Sequence, residues 1–286
     1  MADNWPFRWD LLFRYRFIEV IALWEGRLTT RHLVETFGIG RQQASKDINT
    51  YNREVGPGNL VYNKYLKGYE PSAAFEPKVT RGLAEEYLQL LANRSELSRT
   101  FSSLVLPLGH TEVLDPPTRN VSPDVLRPLL QAARDQQRIE VDYVSVNNPD
   151  REGRIIAPHT LVWTGLRWHV RGWCEKNGDF RDFVLSRFRG LPELLGPADH
   201  TAADDSDWNT LIILEIVPDA RLSAEQQEVI AVDFGMRDGT LKIPVRARLV
   251  NYLVQLLNIN TGKPHADPRA QQVVIANRDA ILQWLI

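Results

Sequence analysis

The chain of 286 residues is poor in sulfur and in net charge, with one cysteine, two methionines and a formal net charge of −2. A single cysteine, Cys174, excludes an internal disulfide and any cysteine-rich zinc site. The six histidines are scattered without metal-ligand spacing, so neither a metal nor a cofactor is expected. No apolar run approaches the roughly 20 residues of a membrane span. The opening Met1-Ala-Asp-Asn-Trp-Pro-Phe-Arg8 lacks the apolar core of a secretion signal. A cytoplasmic protein without a membrane partner is expected. With 43% hydrophobic and 24% charged residues, the composition is that of ordinary globular domains, and the length suits two or three.

Against this background, residues 27–56 carry the most information. They spell two short helices around Gly38-Ile39-Gly40, the second with Ala44, Ile48 and Tyr51 on one face at offsets of four and three. The opposite face carries Arg41, Gln42, Gln43, Ser45, Lys46 and Asn49. A helix buried along one stripe and lined with donors and forked amides on the other suits the major groove of duplex DNA. There Arg and Lys match guanine edges, Gln and Asn match adenine, and Ser matches phosphate. The bland alternative is a helical hairpin with a solvated face.

The flanks favour the specific reading. Upstream, Leu11, Leu12, Tyr15, Ile18, Ala22 and Leu23 recur at helical spacing. Thr29 or Thr30 can cap the next helix, which turns Leu33, Val34 and Phe37 inward. Downstream, Gly56-Pro57-Gly58 stops the third helix. Leu60-Val61-Tyr62 and Tyr69-Glu70-Pro71 then flank a polar tip holding Lys64 and Lys67, a basic hairpin able to reach phosphates or the minor groove. Three helices followed by such a hairpin form a winged helix-turn-helix. Residues 1–80 contain only two more Lys and Arg than Asp and Glu, so a lone unit should bind DNA weakly and a homodimer is expected.

The first domain is expected to span residues 1–77. An amphipathic helix carrying Val79, Leu83, Tyr87, Leu90 and Leu91 opens a helical linker over 78–120, and a breaker-rich connection over 106–120 closes it. Ser122-Pro123 starts another helix, with Val125, Leu126, Leu129, Leu130 and Ala133 as its apolar face. From Arg138 the period changes to two, with strands expected near 138–145, 154–163, 167–173 and 180–188. Such short strands make a small, strongly bent sheet or barrel over 121–197. An acidic linker, 199–207, leads to a small α+β domain over 205–286. That domain is expected to begin with a strand from Leu211 and to hold the capping box Ser223-Ala-Glu-Gln226. The apolar end Trp284-Leu285-Ile286 is expected to pack into a neighbour or a second subunit.

Residues 151–190 carry an excess of four basic residues. Alternation puts Trp168 and Val170 on one face and Arg167, His169 and Arg171 on the other, and groups Arg181, Phe183, Leu185 and Arg187. Arginines on curved strands near Tyr143, His159 and Trp168 suit phosphate clamping and base stacking. A basic rim over an aromatic core is the structural alternative.

Val141-Asp-Tyr-Val-Ser145, Arg154 with Pro158-His159, Arg167-Trp-His-Val-Arg-Gly172 and Arg181-Asp-Phe-Val-Leu-Ser-Arg187 together resemble a WYL domain. That family is named for a Trp-Tyr-Leu triplet, here Trp168-His169-Val170, with a following Arg-x-Phe-x-x-x-Arg strand. The resemblance implies an Sm-like/SH3-like β-barrel behind a winged helix, sensing a nucleotide or single-stranded nucleic-acid effector. The whole order, an α+β multidomain chain with a winged helix, helical linker, WYL barrel and C-terminal extension, is similar to the dimeric BrxR/CapW-type repressors that accompany phage-defence genes. The resemblance puts Tyr143, Ser145, His159, Trp168, Arg171 and Arg187 at or around the pocket, with His169 in the tyrosine's place at its wall. Alternation sets Trp168 opposite Arg171, leaving it as pocket wall or core. By resemblance the chain is a repressor on an inverted-repeat operator, with a transcription activator or DNA-binding scaffold as the alternative. An enzyme is not expected: Asp142, Ser145 and His159 match a hydrolase triad on paper, but alternation points Asp142 and Ser145 to opposite faces.

Overall fold

A computed structural model describes residues 7–100, 112–114, 117, 119–146, 149 and 152–285. The chain divides into two compact units, 1–115 and 116–286. Most of the expected connection over 106–120 lies outside the described residues.

In the first unit, α1 (Trp9–Glu25), α2 (Thr30–Phe37) and α3 (Arg41–Thr50) precede one π-helical turn, Tyr51–Val55. The hairpin β1 (Leu60–Asn63) and β2 (Gly68–Pro71) follows, then α4 (Ala84–Thr100). The expected single stripe on α1 widens into unbroken burial from Phe17 to Ala22, because α2, α3 and α4 all pack against it. Thr29 caps α2, and its N–H donates to His32 Nδ1 at 3.1 Å. Gly38 ends α2 in the left-handed region (φ 63°) that glycine adopts without strain. Ala44, Ile48 and Tyr51 are fully buried, as the spacing predicts. Leu28 forms a bridge with Tyr69, their N–H and carbonyl groups exchanging two hydrogen bonds of 2.7 Å, and so ties the hairpin to the loop before α2. Val79 and Leu83 precede α4 instead of riding on it.

The second unit opens with α5 (Pro123–Arg134), capped by the Ser122 hydroxyl, which accepts from the Asp124 N–H at 3.2 Å. Val125, Leu129 and Ala132 are its buried residues, whereas Leu130, expected inside, is exposed. Five antiparallel strands follow: β3 (Gln137–Tyr143), β4 (Glu152–Trp163), β5 (Trp168–Cys174), β6 (Asp179–Val184) and β7 (Phe188–Pro197). Their order is β6-β5-β4-β3-β7, with bulges in the β3–β7 and β4–β5 ladders. Among the described residues the end strands β6 and β7 do not pair with each other, so the sheet is open where a closed barrel was expected. The strand expected over 180–188 is broken by a 3-10 turn, Leu185–Arg187, which cancels the common face proposed for Arg181, Phe183, Leu185 and Arg187. The core lies between α5 and the inward Ile139, Val141, Tyr143, Ile156, Val170 and Phe183.

The stretch expected to be an acidic linker folds into a 3-10 turn, Ala202–Asp204, and α6 (Ser206–Asn209) with Asp205 as its N-cap. Then come β8 (Leu211–Pro218), α7 (Ala224–Asp233), β9 (Leu241–Arg246), α8 (Val250–Leu256), β10 (Val273–Ile275) and α9 (Arg278–Ile281). The strands pair antiparallel in the order β10-β8-β9. The Ser223–Gln226 capping box forms as expected. Leu285 is buried in this domain's own core, and the partly buried Trp284 packs against it.

Candidate nucleic-acid interface and effector region

On α3, Arg41, Gln42, Gln43, Lys46 and Asn49 are exposed and Ser45 is half-buried. Two of these side chains also have work within the protein. Gln43 Nε2 donates to Asp47 Oδ1 at 2.6 Å, while Asp47 Oδ2 accepts from Arg14 Nε at 2.8 Å, fixing α3 against α1. Asn49 Oδ1 accepts from the Tyr69 hydroxyl at 3.2 Å, which fastens the hairpin to the end of α3. The Tyr69 ring meets Tyr62 edge-on at 5.4 Å, placing two aromatic residues between α3 and the tip. Lys64 and Lys67 are both exposed there, with Lys64 Nζ 5.1 Å from the centre of the Tyr65 ring.

Behind α3 lies a fully buried carboxylate that the sequence pattern did not single out. Glu19 accepts from the Tyr51 hydroxyl at 2.8 Å and from the Lys78 N–H at 2.8 Å. It also takes the Val79 N–H, the Thr80 N–H and the Thr80 hydroxyl. Asn59 joins this network by donating to Tyr51 Oη at 2.9 Å and to the Glu76 carbonyl at 2.8 Å. Burial, with the neighbouring carboxylate, raises the Tyr51 pKa, so its phenol remains a donor. One-turn periodicity offers no clue to such a residue; only its polarity within the apolar run Phe17–Ala22 marks it.

In the second unit, the residues expected around an effector pocket differ in burial and in partners. Tyr143 is buried between Phe183 and Phe188, and its hydroxyl accepts from the Val184 N–H at 3.0 Å. Trp168 is 48% exposed and lies against Trp163 at 5.3 Å, so it is surface and not core. Ser145 and Arg187 are half-buried, and no ion pair of Arg187 occurs among the described residues. His169 is buried beside Tyr252, with ring centres 5.2 Å apart. Burial lowers the His169 pKa to about 4, keeping it neutral, and its Nδ1 has no hydrogen-bond partner among the described residues.

Arg171, expected to clamp a ligand phosphate, is shut inside the unit. Its Nε and Nη2 donate to Asp205 at 2.5 and 2.9 Å, and Nη1 donates to Asp182 at 3.0 Å. Asp182 also accepts from Arg248 Nε at 2.9 Å and the Tyr252 hydroxyl at 3.0 Å. His159, whose pKa burial lowers, holds Asp205 through Nε2 at 3.1 Å and Thr160 through Nδ1 at 2.8 Å. Both ring nitrogens are therefore engaged away from the Asp142–Ser145 pair of the paper triad. Burial pushes the Asp205 carboxyl up. The Arg171, Trp208 and His159 hydrogen bonds outweigh that, and its pKa falls below the ordinary aspartate value. This network pins β4, β5 and β6 to α6, α8 and the turn before α8, which makes Arg171 and His159 structural ties. A buried strand arginine signals that carboxylates must come from elsewhere, but the sequence does not say which.

Among the described residues no cluster of three or more His, Cys, Asp and Glu could hold a metal, and no helix is long and apolar enough to cross a membrane.

A three-helix unit with a stapled hairpin, followed by a five-stranded sheet and a small α+β domain, defines a winged-helix protein with two appended domains. Residues 10–93 match the BrxR transcriptional regulator winged helix-turn-helix domain, 124–192 the WYL domain, and 211–281 the BrxR transcriptional regulator C-terminal dimerization domain. A protein of Escherichia coli (strain KTE188) named DNA-binding transcriptional repressor CapW is 32% identical over 97% of this chain and 93% of its own. Proteins of the same name from Stenotrophomonas maltophilia and Pseudomonas aeruginosa are each 31% identical. They cover 97% and 96% of this chain and 93% and 91% of theirs. The chain belongs to the BrxR/CapW family of transcriptional regulators.

Proposed function

We propose that this chain is a homodimeric, sequence-specific repressor of the cytoplasm that binds an inverted-repeat operator through two copies of α3. The observation that carries this reading is the division of α3 into a fully buried stripe, Ala44 and Ile48, and an exposed polar face. Arg41, Gln42, Gln43 and Lys46 would read base edges, with Asn49 beside them and Ser45, Lys64 and Lys67 on phosphates. The match to a dimerization domain over 211–281 supports pairing. Half-sites would lie about one helical turn of DNA apart, or a multiple of it.

Release is assigned to the WYL domain, through a nucleotide or single-stranded nucleic acid bound near Ser145, His169, Trp168 and Arg187, with Tyr143, His159 and Arg171 supporting the fold around it. Arg187 is the cation of that set free of any ion pair among the described residues. Such a ligand must bind the DNA-incompetent dimer more tightly than the competent one. A phage-defence operon is the proposed target, on family resemblance.

The test is a gel shift of the purified dimer on its own upstream DNA and on scrambled DNA, at two salt concentrations. Preference for the repeat that survives the higher salt is expected; equal binding to both DNAs overturns the reading. Titrating oligonucleotides and nucleotides against the wild-type complex and against Arg187→Ala tests release. Identical responses would remove this site from the account.

A further inference from the structure

The hairpin tip carries apolar surface that neither the core nor a charged arm explains. Tyr65 is 84% exposed and Leu66 is 43% exposed, the two side by side in the four-residue turn between β1 and β2. They are not on a loose loop. The Asn63 side-chain oxygen accepts from the Tyr65 N–H at 2.9 Å and from the Leu66 N–H at 3.1 Å, folding the tip around a fixed point. Asn63 Nδ2 in turn donates to Glu70 at 3.0 Å across the hairpin. Lys67 closes the turn in the left-handed region (φ 49°), and Lys64 and Lys67 bracket the two apolar residues with positive charge. The base of the hairpin is anchored twice, by the Leu28 bridge and by the Tyr69–Asn49 hydrogen bond to α3.

A rigid tip that exposes an aromatic and an aliphatic side chain between two cations is complementary to one surface in particular. Duplex DNA presents phosphate rows on either side of a narrow groove, and apolar side chains can enter between base steps there. The tip lies one ladder pair, Asn63 with Gly68, and one four-residue turn beyond the Tyr62–Tyr69 pair. A second copy of this chain fits less well, because the two lysines of one tip would face those of the other.

We propose that the hairpin tip is a wedge: Tyr65 and Leu66 enter the minor groove beside the bases faced by α3, partly unstack one base step and bend the duplex, while Lys64 and Lys67 hold the flanking phosphates. The inference rests on the operator-binding reading above. It adds a source of specificity at positions no base edge is read, since flexible pyrimidine–purine steps open most readily.

The experiment uses full-length dimer on its upstream repeat, measuring affinity and the bend by end-to-end energy transfer. The variants are Tyr65→Ser, Leu66→Ser and the Lys64→Ala/Lys67→Ala pair, each checked for an unchanged melting temperature. Tyr65→Ser and Leu66→Ser are expected to lose about tenfold in affinity and most of the bend, with the salt dependence unchanged. The lysine pair should lower the salt dependence instead. Wild-type protein that ignores the repeat overturns the repressor reading and the wedge with it. Wild-type binding with equal affinity and bend in the serine variants overturns the wedge alone, as would a Tyr65→Ser protein that fails to dimerise.

Discussion

Arg171 and Asp205 face each other through two parallel hydrogen bonds, Nε to Oδ2 at 2.5 Å and Nη2 to Oδ1 at 2.9 Å, with both side chains almost wholly buried. Such a fork fixes distance and plane together, so the sheet and the segment before β8 are registered on one another. Arg171→Ala would leave Asp182 and Asp205 buried with a lost counter-charge. The expected loss is about 3–5 kcal/mol, read as a large fall in the melting temperature of the second unit. A near-normal melt with a lost effector response would instead make Arg171 a ligand residue.

The buried His169 makes stability depend on acidity. Its pKa is 6.5 when unfolded and falls to about 4 in the fold, so between these values the unfolded chain binds more protons. Stability is therefore complete above about pH 6.5 and declines as the pH falls toward 4. Asp205, held low, adds its own loss only below the ordinary aspartate range. Melting temperatures at pH 7 and pH 5 should differ more for wild type than for His169→Phe. Parallel curves would show that the ring does not titrate in this window.

Glu19 ties the turn after α3 to the segment leading into α4. Glu19→Ala orphans several buried donors and is expected to cost about 3 kcal/mol or more, measurable by denaturant unfolding. Tyr51→Phe removes two hydrogen bonds, the one given to Glu19 and the one taken from Asn59, and should cost about 1–3 kcal/mol. A Glu19→Ala protein as stable as wild type would mean that water replaces the carboxylate.

Arg41→Ala or Lys46→Ala should weaken operator binding by about 1–3 kcal/mol if their side chains meet base edges. An equal loss on operator and scrambled DNA would confine them to phosphate contacts.

Gly68 leaves no room for a side chain: a Cβ there would stand 2.8 Å from the Leu28 carbonyl oxygen. Gly68→Ala must therefore displace the hairpin from the loop before α2. It should reduce operator affinity more than the fold's melting temperature, a split that paired gel-shift and melting experiments would reveal.

Features set within a few residues were legible in the sequence. The spacing of Ala44, Ile48 and Tyr51, the Thr29, Ser122 and Ser223 caps, and the alternation of Ile139, Val141 and Tyr143 all appear in the fold, because helix and strand geometry repeats over one to four residues. The exposed face of α3 follows from the same repeat. The tertiary structure alone decided which polar residues serve the interior. Arg171 finds Asp205 34 positions away, and Glu19 finds Thr80 61 positions away. Short-range periodicity carries no trace of contacts at such separations. The same applies to the 3-10 turn at Leu185–Arg187 and the open sheet edges, which depend on how the chain closes around a shared core. A charged side chain's place is fixed by the partner that offsets its desolvation, and folding brings that partner in from a distant part of the chain.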